Sequence, residues 1–227
     1  MNGPIRVKIC GITNLDDALA AIDAGADALG FNLFAGSKRH VQIQDVIPWM
    51  PSLRGGVLRV AVMVNPTIEE IRGAQAVFDA IQLHGRETPA LCAAAAATGV
   101  LWKAFPVGAD FDAAAVAPFP AHAFVIDSSV PGGFGGFGGF GGFGGFGGTG
   151  TLIDLERAAA FLRACPGRPV WLSGGLTPGN VAAAVEKVRP YGVDVASGVE
   201  VPGDPRRKDS ARVRAFIAAA RQAPGVA

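Results

Sequence analysis

Short apolar runs rich in β-branched residues alternate with longer, Ala-rich stretches of helical period along almost the whole chain. The short runs read as strands over Ile5–Cys10, Ala28–Leu33, Arg59–Val64, Ala80–His84, Leu101–Phe105, Ala123–Asp127, Val170–Ser173 and Val193–Ser197. They are near-continuously apolar rather than alternating, which is the pattern of parallel strands covered by helices. The stretches between them read as helices, among them Leu15–Ala24, Ile68–Ala76 and Pro178–Lys187. A last helix over roughly Ser210–Arg221 is expected to close the ring against the first. Two start signals support this reading. Thr67 stands before Ile68, Glu69 and Glu70 as a cap followed by first-turn acids. Thr177-Pro178 is expected to begin the helix after strand seven, with proline in the first helical position.

Eight such units in one domain of 227 residues predict an α/β chain folded as a single (β/α)8 TIM barrel over residues 1–227. The alternative is an open doubly wound sheet, which usually has fewer strands and a glycine-rich dinucleotide fingerprint after the first. Here the first strand runs into Lys-Ile-Cys-Gly-Ile-Thr (residues 8–13), with no GxGxxG.

One segment breaks the periodicity. Gly-Gly-Phe occurs five times in tandem between Gly132 and Phe146, inside a glycine-rich loop expected at 132–148 between strand six and helix six. Glycine at two positions in three costs too much backbone entropy for a stable helix or strand. Removing four repeat units would about halve the connection, and a doubling of loop length costs only about 0.6 kcal/mol of closure entropy. The barrel should therefore tolerate the expansion, read either as in-frame repetition or as a Phe-Gly interaction tract.

Composition narrows the class. The formal charge is +1 and the charged residues are dispersed, which gives no electrostatic reason to expect nucleic acid or an anionic membrane as partner. No apolar run is long enough to span a bilayer, and the N-terminus lacks a signal-peptide pattern, so a cytoplasmic enzyme is expected. Three widely spaced cysteines, Cys10, Cys92 and Cys165, suggest neither a disulfide framework nor a metal site. Cys92 and Cys165 fall in Ala-rich segments and read as core fillers. Neither metal nor cofactor is expected, and a monomer and a homodimer both fit the composition.

In such a barrel the catalytic residues sit at the C-terminal ends of the strands and in the loops that follow. Cys10 ends strand one, Arg39 follows strand two, Gln82 and His84 end strand four, and Asp127 ends strand six. Gly174 and Gly175 follow strand seven, and Ser197-Gly198 follows strand eight. Glycines there let backbone N–H groups approach an anion, as in phosphate sites built from those two loops, although tight turns would use them too. Cys10 and Asp127 form a candidate proton-transfer pair across the barrel mouth. Lys8, on the same face of strand one, is expected to lower the thiol pKa. Apolar surroundings are expected to raise that of Asp127. Arg39 offers a planar fork for a carboxylate, and His84 is assigned to substrate contact. Asp194, inside strand eight, must be paired, with Lys8 the reasonable partner.

With these residues placed, the sequence resembles phosphoribosylanthranilate isomerase, the barrel enzyme of tryptophan biosynthesis. The likeness runs from Val7 to about Phe216. It is carried in order by VKICGIT, AGADALGF, the SKR loop, IQLHG, an Asp ahead of GGTG, WLSGGLTPGNV and VDVASGVE with a later KD. The resemblance implies an Amadori rearrangement of a phosphosugar without metal or cofactor. It implies Asp127 as general acid, Cys10 as general base, and Arg39 as anchor for the anthranilate carboxylate. Gln82, His84 and Asp194 would contact substrate, and Gly174, Gly175, Ser197 and Gly198 would hold phosphate. The chain departs from the family pattern at Lys38, where proline is usual, at Ala196, where serine is frequent, and in the repeat tract. The competing readings are a dual-substrate or histidine-pathway phosphoribosyl isomerase, and an impaired barrel whose Gly-Phe loop binds a partner. The former typically pairs two aspartates, whereas strand one here ends in Cys10.

Overall fold

A computed structural model describes residues 4–108, 112–116, 118–128 and 152–223. The Gly-Phe repeat tract lies outside the described residues.

Eight parallel strands close into a barrel in sequence order: β1 (Arg6–Cys10), β2 (Ala28–Asn32), β3 (Leu58–Met63), β4 (Ala80–Leu83), β5 (Val100–Val107), β6 (Ala123–Ser128), β7 (Val170–Leu172) and β8 (Gly192–Val195). β8 returns to β1 with Val193 opposite Val7 and Asp194 opposite Lys8, which completes the ring. Outside it run α1 (Leu15–Asp23), α2 (Ile43–Val46), α3 (Ile68–Gln75), α4 (Pro89–Ala96), α5 (Leu155–Ala164), α6 (Val181–Val188) and α7 (Ser210–Arg221). α7 packs against α1 as expected, and Arg221 binds the Gly25 carbonyl (2.6 Å) and Asp27 (3.1 Å) across that seam.

Local chemistry explains most of these boundaries. Thr67 caps α3 in a full capping box, accepting from the Glu70 N–H while the Glu70 side chain takes the Thr67 N–H. Asn14, Thr88, Asp154 and Asp209 cap α1, α4, α5 and α7 by the same kind of side-chain bond.

Three expectations are corrected. α6 does not begin at Pro178. Residues 178–180 form a turn in which Asn180 Oδ1 accepts from the Thr177 N–H, and the helix starts at Val181. The local Asx bond holds the backbone in a turn before the helix can propagate. Nor do the described residues hold eight full helices. Pro48 and Pro51 reduce the second crossover to α2 and a 3₁₀ turn over Ile47–Ser52, and the fifth holds a 3₁₀ turn over Ala113–Val116 ahead of Pro118 and Pro120. β8 ends at Val195, followed by a 3₁₀ turn (Ser197–Val199) and a hairpin that the periodicity does not reveal, β9 (Glu200–Val201) and β10 (Asp204–Lys208).

The core has two compartments. Val7, Ile9, Leu29, Phe31, Phe124, Val193 and Phe216 fill the layer between sheet and helices. Inside the bore, Ala28, Val60, Ala80, Ala104, Ala123 and Val125 surround stacked Trp102 and Trp171, whose rings are 4.8 Å apart. Small residues opposite two indoles fill the bore as alternating large and small side chains do in other barrels. The packed bore makes the site above it a bowl with a floor. Cys92 is fully buried as expected. Cys165 is not a core filler: it ends α5 half-buried, against the rim of the core.

Candidate active site

The C-terminal mouth of the barrel holds a polar cleft. It is lined by Cys10, Asn32, Phe34, Arg39, Val62, Val64, Gln82, His84, Asp127, Ser173, Asp194 and Ala196. Period-two alternation puts Arg6, Lys8 and Cys10 on the inner face of β1, with Val7 and Ile9 turned toward the helices. Lys8 therefore lies directly beneath Cys10. Its ammonium is fully buried and donates to Asp194 Oδ2 (2.8 Å) and Gln82 Oε1 (3.0 Å). The expected Lys8–Asp194 pair is present.

That pair overturns the expectation for the thiol. Burial, the largest influence, pushes the Cys10 pKa up. The Lys8 charge pulls it down, but Asp194 beside Lys8 opposes that pull, and the net direction is upward. Lys8 is held in its charged form by Asp194 and spends most of its field there.

Asp127 behaves as its surroundings require. It is 5% exposed, and burial raises its pKa from 3.8 to about 6 against the hydrogen bond that Oδ1 accepts from the Ser128 N–H (2.7 Å). Gly174 permits this arrangement. It has φ +94°, and a Cβ there would lie 2.6 Å from the Ser128 nitrogen and 2.8 Å from Asp127 Oδ1. Its carbonyl in turn accepts from the Ile153 N–H (3.2 Å).

His84 reaches Asp127, with Nε2 3.7 Å from Oδ2. Its tautomer follows from the floor of the bowl. Gln82 uses its amide oxygen for Lys8, so its NH₂ faces His84 Nδ1 at 3.5 Å. An accepting Nδ1 leaves the ring proton on Nε2, facing the carboxylate. Burial, reinforced by Lys103 and Lys8, lowers the His84 pKa to about 3, so the ring is neutral.

Arg39 arches over Gly11, whose φ of +76° and missing Cβ leave room for the arginine stem. Its fork is already engaged. Nε and Nη2 bind the two oxygens of Glu200, the latter at 3.1 Å. Glu200 also receives Lys208 Nζ at 3.1 Å. Sequence reasoning assigned no role to Glu200 or Lys208. The available sign was the pair of charged residues bracketing a Pro-Gly turn after the last barrel strand. The two Gly/Ser loops meet, since Gly198 abuts the Leu176 carbonyl, and Ser173 opens onto the cleft. Asp194 Oδ1 is buried, lines the cleft with its residue, and has no hydrogen-bond partner among the described residues. Such an oxygen is an acceptor waiting for a donor.

Among the described residues no helix is long and apolar enough to cross a membrane. The family described as PRAI, N-(5'-phosphoribosyl)anthranilate (PRA) isomerase, matches residues 7–219. The N-(5'-phosphoribosyl)anthranilate isomerase of Magnetococcus marinus is 40% identical over 221 residues, covering 96% of each chain. The crystal structure of phosphoribosyl anthranilate isomerase from Thermotoga maritima superposes with a TM-score of 0.82 at 35% identity, covering 95% of this chain and 98% of that one. A structure of a phosphoribosyl anthranilate isomerase in complex with reduced 1-(o-carboxyphenylamino)-1-deoxyribulose 5-phosphate gives a TM-score of 0.79 at 33% identity, with the same coverage.

Proposed function

The chain belongs to the N-(5'-phosphoribosyl)anthranilate isomerase family, and from that premise we propose that Cys10 is the general base and Asp127 the general acid of its reaction. It is an isomerase of tryptophan biosynthesis that converts N-(5'-phosphoribosyl)anthranilate to 1-(2-carboxyphenylamino)-1-deoxyribulose 5-phosphate. The observation that carries the assignment is that Cys10 and Asp127 line one cleft from opposite sides of the barrel mouth, Asp127 with a raised pKa.

Asp127 gives its proton to the furanose ring oxygen. The C1′–O bond breaks, the oxygen becomes a hydroxyl, and the anilino nitrogen supplies the electron pair that forms a cationic Schiff base. Cys10, having given its own proton to solvent, then removes the C2′ proton as a thiolate, and the C–H electrons form the C1′=C2′ double bond of an enaminol while the C=N pair returns to nitrogen. Tautomerisation returns a proton to C1′ and leaves the ketone at C2′. The raised pKa of free Cys10 fits this order of events. The iminium charge arises beside the thiol at the step that needs a thiolate, and a nearby cation favours the charged form.

The remaining residues position the substrate. Asp194 Oδ1 accepts from a ribose hydroxyl, His84 and Gln82 contact the sugar near the acid, and Arg39 faces the anthranilate carboxylate. The loops of Gly174, Gly175, Ser197 and Gly198 hold the phosphate through backbone N–H groups. Steady-state turnover of N-(5'-phosphoribosyl)anthranilate by the chain and by Cys10→Ala tests the assignment, with the histidine-pathway substrate run in parallel. Near-normal turnover by the variant overturns it.

A further inference from the structure

A single carboxylate holds two cations at the edge of the cleft. Glu200, at the start of β9, takes the Nε–Nη2 edge of Arg39 from the loop after β2 and the ammonium of Lys208 from the end of β10. The three side chains are 11%, 10% and 2% exposed for Arg39, Glu200 and Lys208. The hairpin that carries Glu200 and Lys208 is itself tied to the barrel. The Lys208 N–H binds Asp17 Oδ2 (2.7 Å), Arg206 Nη1 reaches the His40 carbonyl (2.9 Å), and Thr13 Oγ1 binds the Arg206 carbonyl. A cluster so anchored cannot drift as one solvated surface pair does.

Two consequences follow from its geometry. With the Nε–Nη2 edge occupied, the Nη1–Nη2 edge of Arg39 is the one that can meet a ligand carboxylate, so the partner fixes how that ligand is met. The cluster also carries two positive charges and one negative, and Cys10 feels both Lys208 and Arg39. The other charged or titratable groups around the thiol are Lys8 below it, Asp194 on β8, and Asp127 and His84 across the cleft.

We propose that Glu200 is a positioning residue of this isomerase: by gripping Arg39 and Lys208 together it aims the arginine at the substrate carboxylate and tempers the positive charge that reaches Cys10. The proposal rests on the roles given above to Cys10 and Arg39. Removing the Glu200 charge leaves the permanent charge of Arg39 unshielded beside the thiol, whereas removing the Lys208 charge takes a cation away. The two substitutions should therefore shift Cys10 in opposite directions, although each breaks the same ion pair.

The test is the pH dependence of iodoacetamide alkylation at Cys10, followed by peptide mass spectrometry in a Cys165→Ser background, together with KM and kcat. Glu200→Gln is expected to lower the alkylation midpoint by about one pH unit and to raise KM for N-(5'-phosphoribosyl)anthranilate roughly tenfold, more than it changes kcat. Lys208→Met is expected to raise the midpoint. Glu200→Asp keeps the charge on a shorter stem, so it should restore the midpoint while KM stays high. Midpoints that move in the same direction in Glu200→Gln and Lys208→Met, or a Glu200→Gln midpoint equal to that of the parent, overturn the proposal. Undiminished turnover by Cys10→Ala would instead refute the catalytic assignment and leave the alkylation result standing.

Discussion

The ammonium of Lys8 lies 2.8 Å from Asp194 Oδ2, both side chains buried in the bore beneath the Cys10 thiol. Because the pair is desolvated, each charge depends on the other. Asp194→Asn should cost about 3–5 kcal/mol, as breaking a buried pair from one side does. Equilibrium denaturation in urea measures the loss.

Asp127 has a folded pKa of about 6 against 3.8 for the free group. The general-acid role proposed for Asp127 needs the protonated form, so kcat/KM should fall as pH rises through about 6. The sign for stability follows from the same shift. A carboxyl whose pKa is raised by folding stabilises the fold fully below pH 3.8, and that contribution is lost as pH rises to about 6. Asp127→Asn removes the penalty of burying the anion. It should lose activity by about 10²- to 10⁴-fold while gaining roughly 2–3 kcal/mol of stability at pH 8. Thermal melts at pH 3.5 and pH 8 read the difference, which should nearly vanish at the lower value.

His84 is expected to stay neutral across the working range, since its pKa lies at about 3. Its ring resonances in NMR should show no transition between pH 5 and pH 8. A titration near the ordinary value would contradict the burial that keeps Nε2–H facing Asp127.

Shortening the tract at 132–148 to one Gly-Gly-Phe should preserve or raise turnover and change stability by only about 1 kcal/mol, since halving a loop alters closure entropy by about 0.6 kcal/mol. Steady-state kinetics and a thermal melt of the deletion variant decide this. A large loss of turnover would mean that the repeats carry a function.

Strand positions were legible because parallel strands under helices are apolar on both faces, and each predicted run overlaps an observed strand. The start of α3 was legible for the same kind of reason, since the capping box is written in four consecutive residues. Pro178 misled because proline suits a turn as well as a first helical position, and the Asn180 side chain that decides between them acts three residues away. At the site, Cys10 and Asp127 were identifiable from strand ends alone. The direction of the Cys10 shift was not, because it depends on Asp194, brought beneath the thiol by barrel closure 184 residues along the chain. Glu200 was missed for a related reason: its partners Arg39 and Lys208 lie on separate elements.

Gly174 receives the chain on both sides of the repeat tract, touching Ser128 before it and accepting from Ile153 after it. The described residues that flank the tract are thus both held against Gly174. Variants that differ only in the number of Gly-Gly-Phe units should therefore keep one arrangement of Asp127, Ser128 and Gly174, whatever the length of chain between the anchors.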